Sequence, residues 1–144
     1  MIASMTTVPT LVRDLMSVDV VMLGRNDKLA AADDLMRLGR IRHLPVVDDD
    51  GALVGIVSQR DLFHNGLIRA LGYGAHAQEH ALATVTVKEA MTTDVVRTTP
   101  DTPLRAAART MFERKIGCLV VVEDGRVAGI IAESDFVKLA TREP

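Results

Sequence analysis

VRDLMSVDVVMLGRNDKLAAADDLMRLGRIRHLPVVDDDGALVGIVSQRDL, residues 12–62, is echoed by VKEAMTTDVVRTTPDTPLRAAARTMFERKIGCLVVVEDGRVAGIIAESDF, residues 87–136. The offset is 75 residues up to Asp49/Asp124 and 74 beyond Asp50, which has no counterpart. Met16/Met91, Asp19/Asp94, Leu29/Leu104, Met36/Met111, Leu44/Leu119, Gly55/Gly129 and Asp61/Asp135 fall into register. Apolar period, turn residues and acids agree together, and an internal repeat of this kind decides architecture before any local reading. One copy of roughly 50 residues would bury only about 60% of its unfolded surface, so two copies must share the burden of stability. Packed face to face through their sheets, two such copies would be related by a pseudo-two-fold axis and leave paired clefts between them.

Each copy reads β-α-β-β-α, an α/β (α+β) unit. In the first, 18–23 is a short β-type run, and Asp27 is the expected N-cap of a helix bearing Leu29, Ala32, Leu35 and Met36 at helical spacing. Gly39 supplies a stop. Residues 43–47 and 52–57 flank the acidic turn 48–51 as a hairpin, and a second helix starts at Ser58. In the second copy 95–97 is the short strand, Thr102 the N-cap with Pro103 first in the helix, and Leu104, Ala107, Ala108 and Met111 the apolar stripe. Residues 119–122 and 127–131 form the hairpin and 135–140 the closing helix. The division expected is 1–71, a connector at 72–84 with a short helix at 77–83, and 85–144, with loose ends at 1–8 and 141–144.

Composition narrows the function. Among 144 residues 48% are apolar and 3% aromatic, so a core of Val, Leu, Ile, Ala and Met is expected. The net charge of -2, with both signs mixed along the chain, is no footprint for duplex nucleic acid. No apolar run approaches the ~20 residues that span a bilayer, and the N-terminus lacks a signal-peptide pattern. Cys118 is the single cysteine, which fits a reducing compartment and a cytoplasmic location. It reads as a small buried apolar residue, because no paired histidine is evident. His76 and His80 are spaced i, i+4 with Glu79 between them, a pattern more common on a surface linker than around a metal. Asp48-Asp49-Asp50 reads as a turn, and no nucleophile–base set suggests an enzyme.

One local signal stands out after each hairpin: Ser58-Gln59-Arg60-Asp61 and Ala132-Glu133-Ser134-Asp135. Each puts a carboxylate in the first turn of a helix directly after a buried strand. Helix capping alone accounts for Ser58 and Asp61, yet Asp135 persists where Ala132 has no hydroxyl. An ionised carboxylate also accepts the paired hydroxyls of a ribose, and a helix N-terminus with a hydroxyl suits a phosphate.

Asp14-Leu15-Met16, Ile41-Arg42-His43-Leu44-Pro45-Val46-Val47-Asp48, the segment 55–62 and their second-copy counterparts resemble a tandem CBS-domain, or Bateman, module over residues 12–139. The resemblance implies a regulatory, non-catalytic module whose two clefts take an adenine nucleotide (AMP, ADP, ATP) or S-adenosylmethionine. It assigns Ser58, Asp61, Thr98, Thr99, Gly117 and Cys118 to one cleft. The other receives Ala132, Asp135, Leu23, Gly24, Arg42, His43 and Pro45. It also implies a homodimer through helices carrying Phe63, Ile68, Phe112 and Phe136, and output through assembly or a separate effector protein. A structural adaptor with vestigial clefts is the alternative.

Overall fold

The computed structural model describes residues 8–70 and 75–142; the side chains of 65–70 and 75–78, and with them Ile68 and His76, lie outside the described residues. Among the described residues thirteen elements follow the repeat. A 3₁₀ turn (Val12–Asp14) precedes β1 (Leu23–Gly24), α1 (Leu29–Gly39), β2 (His43–Val47), β3 (Leu53–Ser58) and α2 (Gln59–Ala70). Then come α3 (Ala75–Thr84), α4 (Val87–Ala90), β4 (Arg97–Thr98), α5 (Leu104–Arg114), β5 (Cys118–Glu123), β6 (Arg126–Ala132) and α6 (Glu133–Ala140). The strands make two three-stranded sheets, β1-β2-β3 and β4-β5-β6, in which the first pair is parallel and the second antiparallel. The expected α/β class and the doubled order are what the structure contains.

Two compact units result, and they do not coincide with the sequence repeats. A continuous unit holds 21–95; a split unit joins the described residues up to 20 with those from 96 onward. Each repeat's lead-in segment therefore belongs with the other repeat's sheet. In the continuous unit Thr92 forms a two-way backbone bridge to Ile56 on β3, N–H to O 2.9 Å in both directions. In the split unit Ser17 does the same to Ile130 on β6 at 2.9 and 3.0 Å. Glycine precedes each bridged strand residue because the chains touch there. A Cβ on Gly129 would lie 2.8 Å from both the Ser17 carbonyl oxygen and the Met16 sulfur. One on Gly55 would collide with the Met91 sulfur and come within 3.0 Å of the Thr92 carbonyl.

Each unit has its own core. In the continuous unit Leu29, Ala32 and Met36 of α1 pack with Leu44, Val46, Val57, Leu62 and, from the second repeat's lead-in, Val85 and Val87. In the split unit Leu104, Ala107 and Met111 of α5 pack with Leu119, Val121, Ile131 and the first repeat's Val12. Met36 and Met111 are core residues, as their spacing implied.

Local expectations needed adjustment at element ends. Residues 18–22 are not strand; only Leu23–Gly24 pairs with β2, and 95–96 likewise stay outside β4. Neither Asp27 nor Thr102 is the N-cap. Lys28 and Pro103 hold that position, because the Asp27 carboxylate is already used to close the preceding turn on the Gly24 N–H at 2.8 Å. Thr102 likewise accepts from the Thr99 N–H at 3.3 Å. Gly39 remains helical, and the left-handed stop falls on Arg40 and, in the second copy, Lys115, whose N–H groups reach Met36 and Met111 carbonyls. A cation at a helix C-terminus complements the dipole there, which offsets part of the cost of a left-handed non-glycine residue. The expected turns are present: Asp48 Oδ1 accepts from the N–H groups of Asp50 and Ala52. Asp124-Gly125, both with positive φ, links β5 to β6, as a two-residue hairpin turn requires.

The bridges make a measurable claim. Gly129→Ala and Gly55→Ala should each destabilise by roughly 1–3 kcal/mol through overpacking, with Gly129 the worse because its obstacle includes a backbone oxygen. Gly125→Ala, where nothing lies within 4 Å, should cost only about 1 kcal/mol, from its left-handed backbone alone. Urea melts of the three variants check this; equal costs would dissociate the glycines from the bridges.

Candidate functional site

The strand-to-helix corner recurs in both units and gathers most of the residues singled out in the sequence. In the continuous unit β2 and β3 pair so that His43 lies opposite Ser58, and the Gln59 N–H donates to the Arg42 carbonyl at 2.8 Å. That bond turns the chain from β3 into α2. The Ser58 N–H donates to Asp61 Oδ2 at 2.8 Å, and the Asp61 N–H returns to Ser58 Oγ at 3.1 Å. This reciprocal capping box holds a half-buried carboxylate in one orientation. In the split unit Cys118 lies opposite Ala132, the Glu133 N–H donates to the Gly117 carbonyl at 3.0 Å, and the Ala132 N–H donates to Asp135 Oδ2 at 2.8 Å. Alanine offers no acceptor, so only half of the box survives there.

The structure thus brings together Arg42, His43, Ser58 and Asp61 at one corner, and Gly117, Cys118, Ala132 and Asp135 at the other. Leu23 and Gly24 pair with Val46 and Val47, three residues along β2 from the corner and so roughly 10 Å away. Thr98 occupies the matching place beside Val121, followed by Thr99. Pro45 is fully buried, as is Leu23 at 2% exposure. The residues that the resemblance assigns to either cleft are divided between the units: Ser58 and Asp61 sit in the continuous unit, Thr98, Thr99, Gly117 and Cys118 in the split one. The second set divides the other way, Ala132 and Asp135 against Leu23, Gly24, Arg42, His43 and Pro45.

The lead-in helices escaped the sequence reading. Asp14 accepts from the Thr10 and Leu11 N–H groups at 3.1 and 3.0 Å, and the Leu11 bond is the main influence holding its carboxyl below the ordinary range. Glu89 accepts from the Thr86 N–H at 2.9 Å and starts α4. The spacing Thr86-x-x-Glu89 is a capping-box signature and would have found it.

Burial pushes the Cys118 thiol up to about 12, with the negative charge of Glu133 adding to it. Such a thiol stays protonated and is no nucleophile at neutral pH. Among the described residues no group of three or more His, Cys, Asp or Glu could hold a metal ion. No described helix is long and apolar enough to cross a membrane.

Both halves of the chain match the family model described as the CBS domain, at residues 12–67 and 87–142. The chain belongs to the CBS-domain family. Uncharacterized protein MJ1225 of Methanocaldococcus jannaschii is 31% identical over 128 residues, 89% of this chain but 42% of that protein. A homoserine O-acetyltransferase of Methanosphaerula palustris is 31% identical over 136 residues, 94% of this chain and 25% of that one. The CBS pair therefore spans less than half the length of these curated relatives. Among solved structures, a putative acetoin utilization protein (AcuB) from Vibrio cholerae is 37% identical with a TM-score of 0.77, covering 93% of this chain and 98% of that one. The CBS domain pair of protein MJ0100, solved with 5′-methylthioadenosine and S-adenosyl-L-methionine, is 30% identical at TM-score 0.73, covering 92% and 97%. CBSX2, solved with AMP, is 28% identical at 0.75, covering 92% and 96%.

The thiol gives a pH prediction with a definite sign. In the unfolded chain Cys118 titrates near 8.5; in the folded CBS repeat it holds its proton to about 12. Unfolding then favours proton loss, so this contribution to stability is complete below about pH 8.5 and shrinks as pH rises toward 12, by at most ~1.4 kcal/mol per pH unit. Subtracting the stability–pH curve of Cys118→Ala from that of the natural protein should reveal this decline. Parallel curves would mean that Cys118 ionises as freely folded as unfolded.

Proposed function

We propose that this CBS pair is a non-catalytic regulatory module that binds an adenine nucleotide or a related adenosyl ligand, with Asp61 and Asp135 receiving the ribose. The carrying observation is the doubled strand-to-helix corner, in which a backbone N–H fixes a carboxylate at the start of a helix. A carboxylate has about four acceptor positions, so a capping bond to Oδ2 is compatible with hydroxyls on the same group. The adenosyl ligands bound by the MJ0100 pair and the AMP bound by CBSX2 support the ligand class. For this reading Ser58 and Asp61 share one ligand with Thr98, Thr99, Gly117 and Cys118, while Ala132 and Asp135 share another with Leu23, Gly24, Arg42, His43 and Pro45. Ligand shifts an equilibrium between assemblies only through differential affinity; a homodimer and a separate effector protein are the proposed means of output, in a reducing compartment such as the cytoplasm.

A second reading has its own support. The complete capping box at Ser58/Asp61 explains both residues as helix-end structure, as an assembly adaptor with vestigial clefts would require.

Calorimetry separates the two. AMP, ATP or S-adenosylmethionine should bind the natural protein, and Asp61→Ala should weaken the affected site about tenfold or more, since hydrogen bonds to a charged group are worth roughly 1.5–3 kcal/mol. The adaptor reading expects a stability loss of about 0.5–2 kcal/mol from the lost cap and no heat of binding in either protein.

A further inference from the structure

The lead-ins of the two repeats dock in the same way, yet they differ in what covers them. In the continuous unit the Leu29 N–H donates to the Val85 carbonyl at 2.9 Å, the Val87 N–H to the Asp27 carbonyl at 2.7 Å and the Lys88 N–H to the Arg25 carbonyl at 2.9 Å. In the split unit the Leu104 N–H donates to the Thr10 carbonyl at 2.8 Å. The Val12 N–H donates to Thr102 and the Arg13 N–H to Pro100, both at 2.9 Å. Every donor and acceptor of the second set is the repeat counterpart of the first, 75 residues away. Thr10 therefore holds the place of Val85.

The chain that precedes Val85 is α3, which packs against α1 and α2. Its Ala81 is buried and its Leu82 partly buried against the core that holds Leu29 and Leu62. Under this cover Val85 is only 3% exposed. In the split unit Thr10 is exposed and Val8 is 70% exposed. An open groove of about 500 Å³ lies there, walled by Val8, Pro9, Leu104, Ala108, Phe136 and Leu139. Leu104 and Phe136 are the counterparts of Leu29 and Leu62. None of the residues of α6 is fully buried. Among the described residues, then, the split unit has nothing in the place that α3 takes in the continuous one.

We propose that residues 1–7 fill this groove as α3 fills its counterpart. Tether and composition name the occupant. Residues 1–7 run directly into Val8 on the groove's rim, and by the repeat they correspond to residues 76–82. As two turns of helix they would reach about 10 Å, enough to pass the single turn from Leu104 to Ala108. They bring Met1, Ile2 and Met5 and no charged side chain. Met1 and Met5, four residues apart, would share one helix face, and methionine adapts to irregular apolar gaps. So short a helix is not stable alone in water, so its order must come from the groove. A tethered segment meets its site at an effective concentration in the millimolar range, which favours it over a free competitor of equal affinity. Docked, it covers Phe136 and Leu139, and a protein that uses this face must displace it first. The inference is independent of ligand binding at the corners.

Methyl NMR of the full chain, labelled at methionine and assigned with Met5→Leu, tests the placement. The Met5 methyl should show contacts to the Phe136 ring and the Leu139 methyls within one chain, unchanged on dilution. Ile2→Ser with Met5→Ser should lower the melting temperature by roughly 3–8 °C. In a Leu139→Ser background the same pair should cost clearly less, since residues in contact are not additive. Absence of the Met5 contacts, a melting temperature that the two serines leave unmoved, or a full loss in the Leu139→Ser background would each overturn the proposal. Contacts found only between differently labelled chains in a mixture would also overturn it and give the groove to a second copy.

Discussion

Two pairs of backbone hydrogen bonds, Ser17 with Ile130 and Thr92 with Ile56, organise the whole chain. Each adds the lead-in of one repeat to the sheet of the other, and each needs a glycine next to the contact, because a Cβ at Gly129 or Gly55 would meet backbone oxygen at 2.8 or 3.0 Å. The chain consequently passes between the units twice, near residues 20–21 and 95–96. Neither repeat owns a complete core: Val12 is buried under the second repeat's sheet, and Val85 and Val87 under the first's. A short repeat that cannot bury enough apolar surface alone is completed by its twin's lead-in.

The same strands deliver the corners. Because β3 and β6 are pinned on both edges, by hairpin partners on one side and by the bridges on the other, their ends project α2 and α6 from a fixed place. The capping carboxylates Asp61 and Asp135 then inherit that rigidity. Sites built on regular elements with locked rotamers hold ligand groups more accurately than loops do, which is why a cap and a ribose acceptor are compatible roles for one side chain. The copies diverge where chemistry would: Arg42 and His43 against Gly117 and Cys118, Ser58 against Ala132, Gln59 against Glu133. The buried Cys118 thiol is kept protonated at neutral pH by desolvation and by Glu133.

Most of the fold was legible because the repeat doubles every signal. Buried runs such as Leu44-Pro45-Val46 and Leu119-Val120-Val121, the Asp124-Gly125 turn and the stripes of α1 and α5 were each readable twice. Helix ends were not, since Asp27 and Thr102 look like caps in sequence but spend their side chains on the preceding turn. Arg40 and Lys115 take left-handed backbone that composition assigns to Gly39. The exchange of lead-ins was illegible for a different reason: pairing of Thr92 with Ile56 or Ser17 with Ile130 joins residues far apart through backbone atoms, which carry no side-chain code. Only Gly55 and Gly129 hinted at it. At the corner, the Ser58–Asp61 pair was visible from spacing, while the membership of Thr98, Thr99, Gly117 and Cys118 in one ligand's shell came from family resemblance and not from any local pattern.

The central claim is that the corner carboxylates serve a ligand as well as a helix. Amide NMR of the uniformly labelled full chain during titration with AMP tests it residue by residue. Binding predicts saturable shifts at the amides of Ser58 and Asp61, or of Ala132 and Asp135, reproduced with S-adenosylmethionine or ATP if the ribose is the shared element. If millimolar AMP, ATP and S-adenosylmethionine all leave the amides of 58–61 and 132–135 unmoved, the carboxylates are helix caps alone and the ligand-binding role is wrong.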